Sequence, residues 1–234
     1  MTVLSVNLNK VALIRNSRDT RIPSPLEFAA TAIEAGAGGI TVHPRPDQRH
    51  IRVTDCYDLA SSLAVEFNLE GNPFAPRMPS DRDGIATYPG FMALVEATRP
   101  AQVTLVPDTN AQLTSDHGFD LSQDAERLAP IIASLKAMGC RVSLFMDPEP
   151  KSMSAAAEIG ADRFFDFGDF CAAAGGGAGA ALGGFCGLAG ARGRVCRRQD
   201  AQMVLTVPRA SDAGAARADA ALRRRRPRRR PLRR

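Results

Sequence analysis

The chain has 234 residues, 44% of them apolar, enough to bury the core of one α/β barrel or of two small domains. No run of about 18 apolar residues occurs, which argues against a membrane-spanning helix, and the opening MTVLSVNLNKVALIRNSRD is charged too early for a secretory leader. The net charge of +5 averages two unlike parts: residues 1–163 hold 15 basic and 20 acidic residues, whereas residues 164–234 hold 15 arginines against 5 acids.

In chain order, residues 3–7 read as a short apolar strand. Asn7, Asn9 and Lys10 close it, and Arg15 and Arg18 fall in the loop that follows. Ser24-Pro25 caps a helix that ends at Gly36. A second strand covers 39–43, a helix 54–64 and a third strand 65–69. A short helix over 91–97 is closed by Pro100, and a fourth strand over 102–106 is stopped by Pro107. Leu128, Ile131, Ile132, Leu135 and Met138 recur at helical spacing up to Gly139. A fifth strand at 141–146, a helix at 152–159 and the start of a sixth strand near Phe164 complete the pattern.

Alternating strands and helices predict a parallel sheet. A closed eight-stranded barrel and an open doubly wound sheet both fit. The missing GxGxxG turn after the first strand counts against a dinucleotide fold. Polar residues collect at strand C-terminal ends (Asn7, His43, Glu70 and Asp147), which in a barrel share one rim.

Beyond residue 163 the pattern fails. The segment 170–190 is rich in Ala and Gly, 203–207 could form one strand, and nine arginines crowd 223–234. The domain expectation is therefore a barrel portion over 1–163 and an aberrant Ala/Gly/Arg-rich segment over 164–234, degenerate or read out of frame. Its arginines could bind RNA or another anion, but they lack the interleaved aromatics of a stacking surface, and nucleic acid is not the expected partner. The five cysteines show no CxxC pairing and no metal-ligand spacing, as expected of reduced cytosolic thiols.

His43-Pro44-Arg45-Pro46-Asp47-Gln48-Arg49-His50 is the densest polar segment. Arginine offers phosphate a planar fork, and histidine moves protons near neutral pH. The spacing of His43 and His50 matches no common zinc pattern, so no metal is expected. Glu70, at a strand end, becomes a base if burial raises its pKa, and a salt-bridged structural role is its alternative. Lys10 and Arg18 would suit phosphate or a carbonyl oxygen. His117, in a long loop, reads as a packing residue, and Asp147 as the cap of the next turn.

Together SVNLNKVALIRNSRDT, EAGAGGITVHPRPDQRHI, EFNLEGNP, QVTLVPD, QLTSDHGFD, RVSLFMDPEP and AAAEIGAD resemble the pyridoxine 5′-phosphate synthase family over residues 3–163. The resemblance implies a (β/α)8 TIM-type barrel, incomplete after about residue 163, in a cytoplasmic homo-oligomer, an octamer by family. It implies condensation of 1-deoxy-D-xylulose 5-phosphate with 3-amino-2-oxopropyl phosphate, without metal or cofactor. His43 and Glu70 would be proton acceptors. Asn7 would hold the aminoketone phosphate, while Arg18, Arg45, His50 and Thr114 would hold the phosphorylated substrates. Asn9-Lys10 stands where many members carry Asp-His, so both positions are further candidates.

The three histidines all lie at or before 117, so the family's late proton-donor histidine has no counterpart. From that departure the expectation is low turnover, with a non-catalytic remnant as the alternative.

Overall fold

The structure, a computed structural model, describes residues 3–18, 20–109, 112, 115, 117–147, 150–166 and 203–206. Six strands alternate with helices and lie in chain order along the sheet. They are β1 (Val3–Asn7), β2 (Gly39–Val42), β3 (Glu66–Gly71), β4 (Gln102–Leu105), β5 (Arg141–Met146) and β6 (Arg163–Asp166). Each pairs in parallel with its sequence neighbour. The helices are α1 (Asn9–Asn16), α2 (Pro25–Glu34), α3 (Val53–Ser62), α4 (Phe91–Thr98), α5 (Leu121–Ala137) and α6 (Pro150–Glu158). The predicted strand near 203 exists as β7 (Met203–Thr206), but it departs from the parallel rule and runs antiparallel against β1. Apart from β7 and the end of β6, the 164–234 segment lies outside the described residues.

Strand alternation explains the two faces of the sheet. Ile40, Val42, Phe67, Leu69, Val103, Leu105, Val142, Leu144 and Met146 are buried in one core with Leu59, Leu94, Leu128, Ile132 and Leu135 of the helices. The opposite face is polar. Ser5 and Thr41 hydroxyls meet at 2.8 Å, Asn68 Nδ2 donates to Thr41 Oγ1 at 3.3 Å, and Thr104 Oγ1 donates to Asn68 Oδ1 at 3.1 Å. Below them Glu66 of β3 pairs with Arg141 of β5, and Arg163 of β6 donates to Gln102 of β4 at 2.7 Å. Each of these lower contacts skips a strand. In a flat sheet next-but-one strands stand roughly 9.5 Å apart, so the sheet curls around its polar face, as barrel interiors do.

Local sequence sets the boundaries. Ser24 Oγ accepts the Glu27 amide at 3.4 Å, and Pro25 opens α2 without needing a donor. Gly139 takes φ +86°, which lets the chain leave α5 and enter β5. The segment read as a loop after β1 is a helix, α1. Arg15 within it is buried and grips Asp55 of α3 with two bonds, at 2.5 and 2.9 Å. Among the described residues no helix is long and apolar enough to cross a membrane.

Candidate active site

The C-terminal ends of β1 to β4 carry the candidate residues to one rim. Alternation from Glu66 through Asn68 points Glu70 inward near the end of β3, and the same alternation points Asn7 inward on β1. Asn7 Nδ2 lies 3.4 Å from Glu70 Oε2, at the long end of a hydrogen bond. Asn9 ties the first two strand ends together. Its amide donates to Asn7 Oδ1 at 2.8 Å, and its own Oδ1 accepts the His43 amide at 2.8 Å. His43, immediately past β2, and His50 are edge-on neighbours with ring centres 6.1 Å apart.

Arg45 is buried and reaches across to the β4–α5 loop. It faces Asp108 Oδ2 at 3.2 Å and donates to the carbonyls of Thr109 and Gln112 at 2.6 and 3.0 Å. His43 Nε2 lies 3.8 Å from the same Asp108 oxygen. Arg49 pairs with Asp47 and also donates to Gln112 O at 2.9 Å. Two arginines thus pin one loop to the other.

Burial sets the protonation states. Burial, then the Asp108 carboxylate, pushes Glu70 up from 4.5 to about 8. Burial, then the Arg45 cation, pushes His43 down to about 3. Burial, followed by His43 and Arg45, does the same for His50, also to about 3. At neutral pH the imidazoles are therefore uncharged, and most Glu70 carboxyls keep their proton. Titratable groups pushed in opposite directions at one rim are a pattern that acid–base sites share.

The predicted residues do not all gather here. Asn7, Asn9, His43, Arg45 and Glu70 join through the contacts above, with His50 beside His43. Lys10 is exposed on α1, and Arg18 is exposed on the turn after it. No hydrogen bond or ion pair among the described residues ties Arg18 to His43, Arg45 or Glu70. Thr114 lies outside the described residues. His117 pairs with Gln112 at 3.2 Å. Asp147 accepts the Gly118 amide at 3.3 Å, so it braces the β4–α5 loop as well as ending β5. Among the described residues no three His, Cys, Asp or Glu side chains converge as a metal centre requires.

Asp108 is the residue that sequence reasoning missed. The sequence reading stops β4 at Pro107 and gives the next side chain no role. A carboxylate just past an apolar strand and a proline was the available signal. Gln48 was missed too. It is fully buried with φ +51°, and its side chain links Ala86 O at 2.6 Å to the Val53 amide at 3.0 Å. It thereby fastens the His43–His50 loop to α3 and to the β3–α4 loop.

The family model described as "Pyridoxal phosphate biosynthesis protein PdxJ" matches residues 4–180. The chain belongs to this family. The match continues past residue 163, where the motif resemblance had ended. Among curated relatives, the pyridoxine 5′-phosphate synthase of Xanthomonas campestris pv. campestris (strain B100) is 56% identical over 165 residues, covering 69% of this chain and 62% of the relative. Its namesake in Xanthomonas oryzae pv. oryzae (strain PXO99A) gives the same figures. That of Xylella fastidiosa (strain 9a5c) is 51% identical over 166 residues, covering 69% of this chain and 61% of the relative. The matched part thus spans somewhat less than two thirds of these relatives.

Proposed function

We propose that this chain acts as a pyridoxine 5′-phosphate synthase, condensing 1-deoxy-D-xylulose 5-phosphate with 3-amino-2-oxopropyl phosphate at the rim of β1 to β4. The single observation that carries the reading is the convergence of Asn7, His43 and Glu70 on that rim, with the imidazole and carboxyl held in complementary protonation states.

The reaction joins an amine to a ketone, expels water, and closes a ring with loss of phosphate. Each stage moves protons between carbon, nitrogen and oxygen. Glu70 enters the cycle holding its proton and can deliver it to a departing hydroxyl. It then becomes the carboxylate that accepts a later proton. His43 enters uncharged but weakly basic, held down to about 3 by burial and then Arg45. In this reading it accepts a proton once a bound substrate phosphate offsets that cation, and Arg45 stabilises negative charge. Asn7 is placed to orient the aminoketone against Glu70. Arg45, His50, Thr114 and Arg18 remain the proposed phosphate and substrate contacts, with Asn9 and Lys10 beside them.

The same reading brings phosphorylated substrates, a cytoplasmic setting and a homo-oligomer. Leu13, Ile14, Leu26 and Phe28 are exposed on α1 and α2, which supports assembly through that surface. Nothing in the comparisons favours a remnant or an arginine-tail RNA binder.

The test is turnover of the two phosphorylated substrates by the full chain. The expected result is product formation that falls about 10²–10⁴-fold in Glu70→Gln or His43→Asn. Turnover indifferent to both substitutions, or none in the unaltered chain, would overturn the assignment.

A further inference from the structure

Among the described residues, two buried carboxylates have no task in the proton-transfer scheme above: Asp55, which is paired with Arg15, and Asp108. Asp108 stands three residues past β4, yet it touches two residues of the site. Its Oδ2 lies 3.2 Å from Arg45 Nη1, 3.8 Å from His43 Nε2 and 2.8 Å from Ser115 Oγ. Its backbone carbonyl accepts Asn72 Nδ2 at 2.8 Å, and Asn72 follows directly on β3. The Asp108 carboxylate is seated between a cation and an imidazole, and its backbone is tied to a neighbouring strand end. The bond to Ser115 is local, as capping would need, but the contacts with Asn72, Arg45 and His43 reach 36 to 65 residues along the chain.

We propose that Asp108 is a positioning residue of this active site: its carboxylate orients Arg45 and His43 and fixes the electrostatic setting in which Glu70 works. The placement rests on reading the rim as the substrate site, although the titration below does not depend on that reading. Asp108, just past the end of β4, and Glu70, near the end of the adjacent β3, are two buried acids at one rim, and both cannot readily carry charge. Arg45 compensates Asp108 directly, so Asp108 keeps the charge and Glu70 keeps the proton. Like-charge assignment of this kind divides two chemically similar groups into a fixed anion and a proton carrier.

Other groups face the same space. His43, Arg45, Asp47, Arg49 and His50 come from the β2–α3 loop. The end of β1 presents the uncharged Asn7, and the end of β5 presents the exposed Asp147. Burial comes first in holding Glu70 up, and Asp108 is the neighbour whose charge adds to it.

The experiment is a carboxyl-carbon NMR titration of Glu70 in the full chain, its resonance assigned by loss in Glu70→Gln. In Asp108→Asn, nearly isosteric but neutral, the Glu70 midpoint should fall by at least half a unit, about threefold in ionisation constant. Asp108→Glu restores the charge and should return the midpoint most of the way. Asp108→Ser gives the same reading if the asparagine variant does not fold. A purely structural Asp108 would lower the melting temperature in these variants without moving the titration. A midpoint unmoved in the neutral variant, or lowered equally in the glutamate variant, overturns the proposal. Failure of turnover with the Glu70 shift intact would instead fault the substrate reading and leave Asp108 in its role.

Discussion

Two glutamates on the same face of β3, Glu66 and Glu70, have opposite fates. Glu66, at the lower end, is about one-quarter exposed and is paired with Arg141 across the interior. Glu70, four residues on, is buried against an amide and a second carboxylate. One strand thus supplies an ion pair at the floor and the proposed proton carrier at the rim. Residue type does not decide the role. The floor gives Glu66 a cation and partial solvent, whereas at the rim burial, and then the Asp108 charge, keep the proton on Glu70.

The strongest way to break this contrast is turnover. Glu70→Gln should cost about 10²–10⁴ in rate, while Glu66→Gln should leave the rate within about threefold. Comparable losses in both would show that the site extends down the interior or that neither glutamate is chemical.

Stability against pH sharpens it next. His43 and His50 are pushed down to about 3, so an unfolded chain binds their protons better below pH 6.5, and stability from this source falls as pH drops from 6.5 toward 3. Glu70 is pushed up to about 8 from 4.5, so the folded chain binds its proton better. That stabilisation is complete below pH 4.5 and is lost as pH rises through 8. With both effects, stability from these groups peaks near pH 6.5 and declines toward pH 8 by an amount on the order of 2 kcal/mol. Denaturant unfolding from pH 5 to 9 should show the alkaline decline. Glu70→Gln should flatten it, and Glu66→Gln should retain it.

The smallest effect belongs to the floor itself. Glu66→Gln should destabilise by roughly 0.2–1 kcal/mol, the ordinary worth of a partly exposed pair. A loss of several kcal/mol in thermal or denaturant unfolding would mean that the floor pair holds the curled sheet together.

The sheet was readable because its outward residues are apolar at every second position and its helices end at Gly36 and Gly139. Most strand predictions fell within two residues of the observed bounds. Helix α1 was not readable. Arg15 is buried beside Ala12, whereas the larger apolar Leu13 and Ile14 are exposed, so most of its apolar pattern runs opposite to burial. The rim positions of His43 and Glu70 followed from strand ends alone. Asp108 did not, because its importance arises from contacts with Arg45 and His43, more than 60 residues earlier, which no local pattern encodes. For the same reason the sequence could present Arg45 as a phosphate fork but not show that its donors are engaged by the β4–α5 loop.

A carboxyl-carbon NMR titration of Glu70 in the unaltered chain, with the ring resonances of His43 followed in parallel, meets the claim of a buried rim pair head-on. A carboxyl that gives up its proton near pH 8 beside an imidazole still neutral at pH 5 is the predicted result. A carboxyl that ionises near 4.5, with an imidazole that titrates near 6.5, would contradict it.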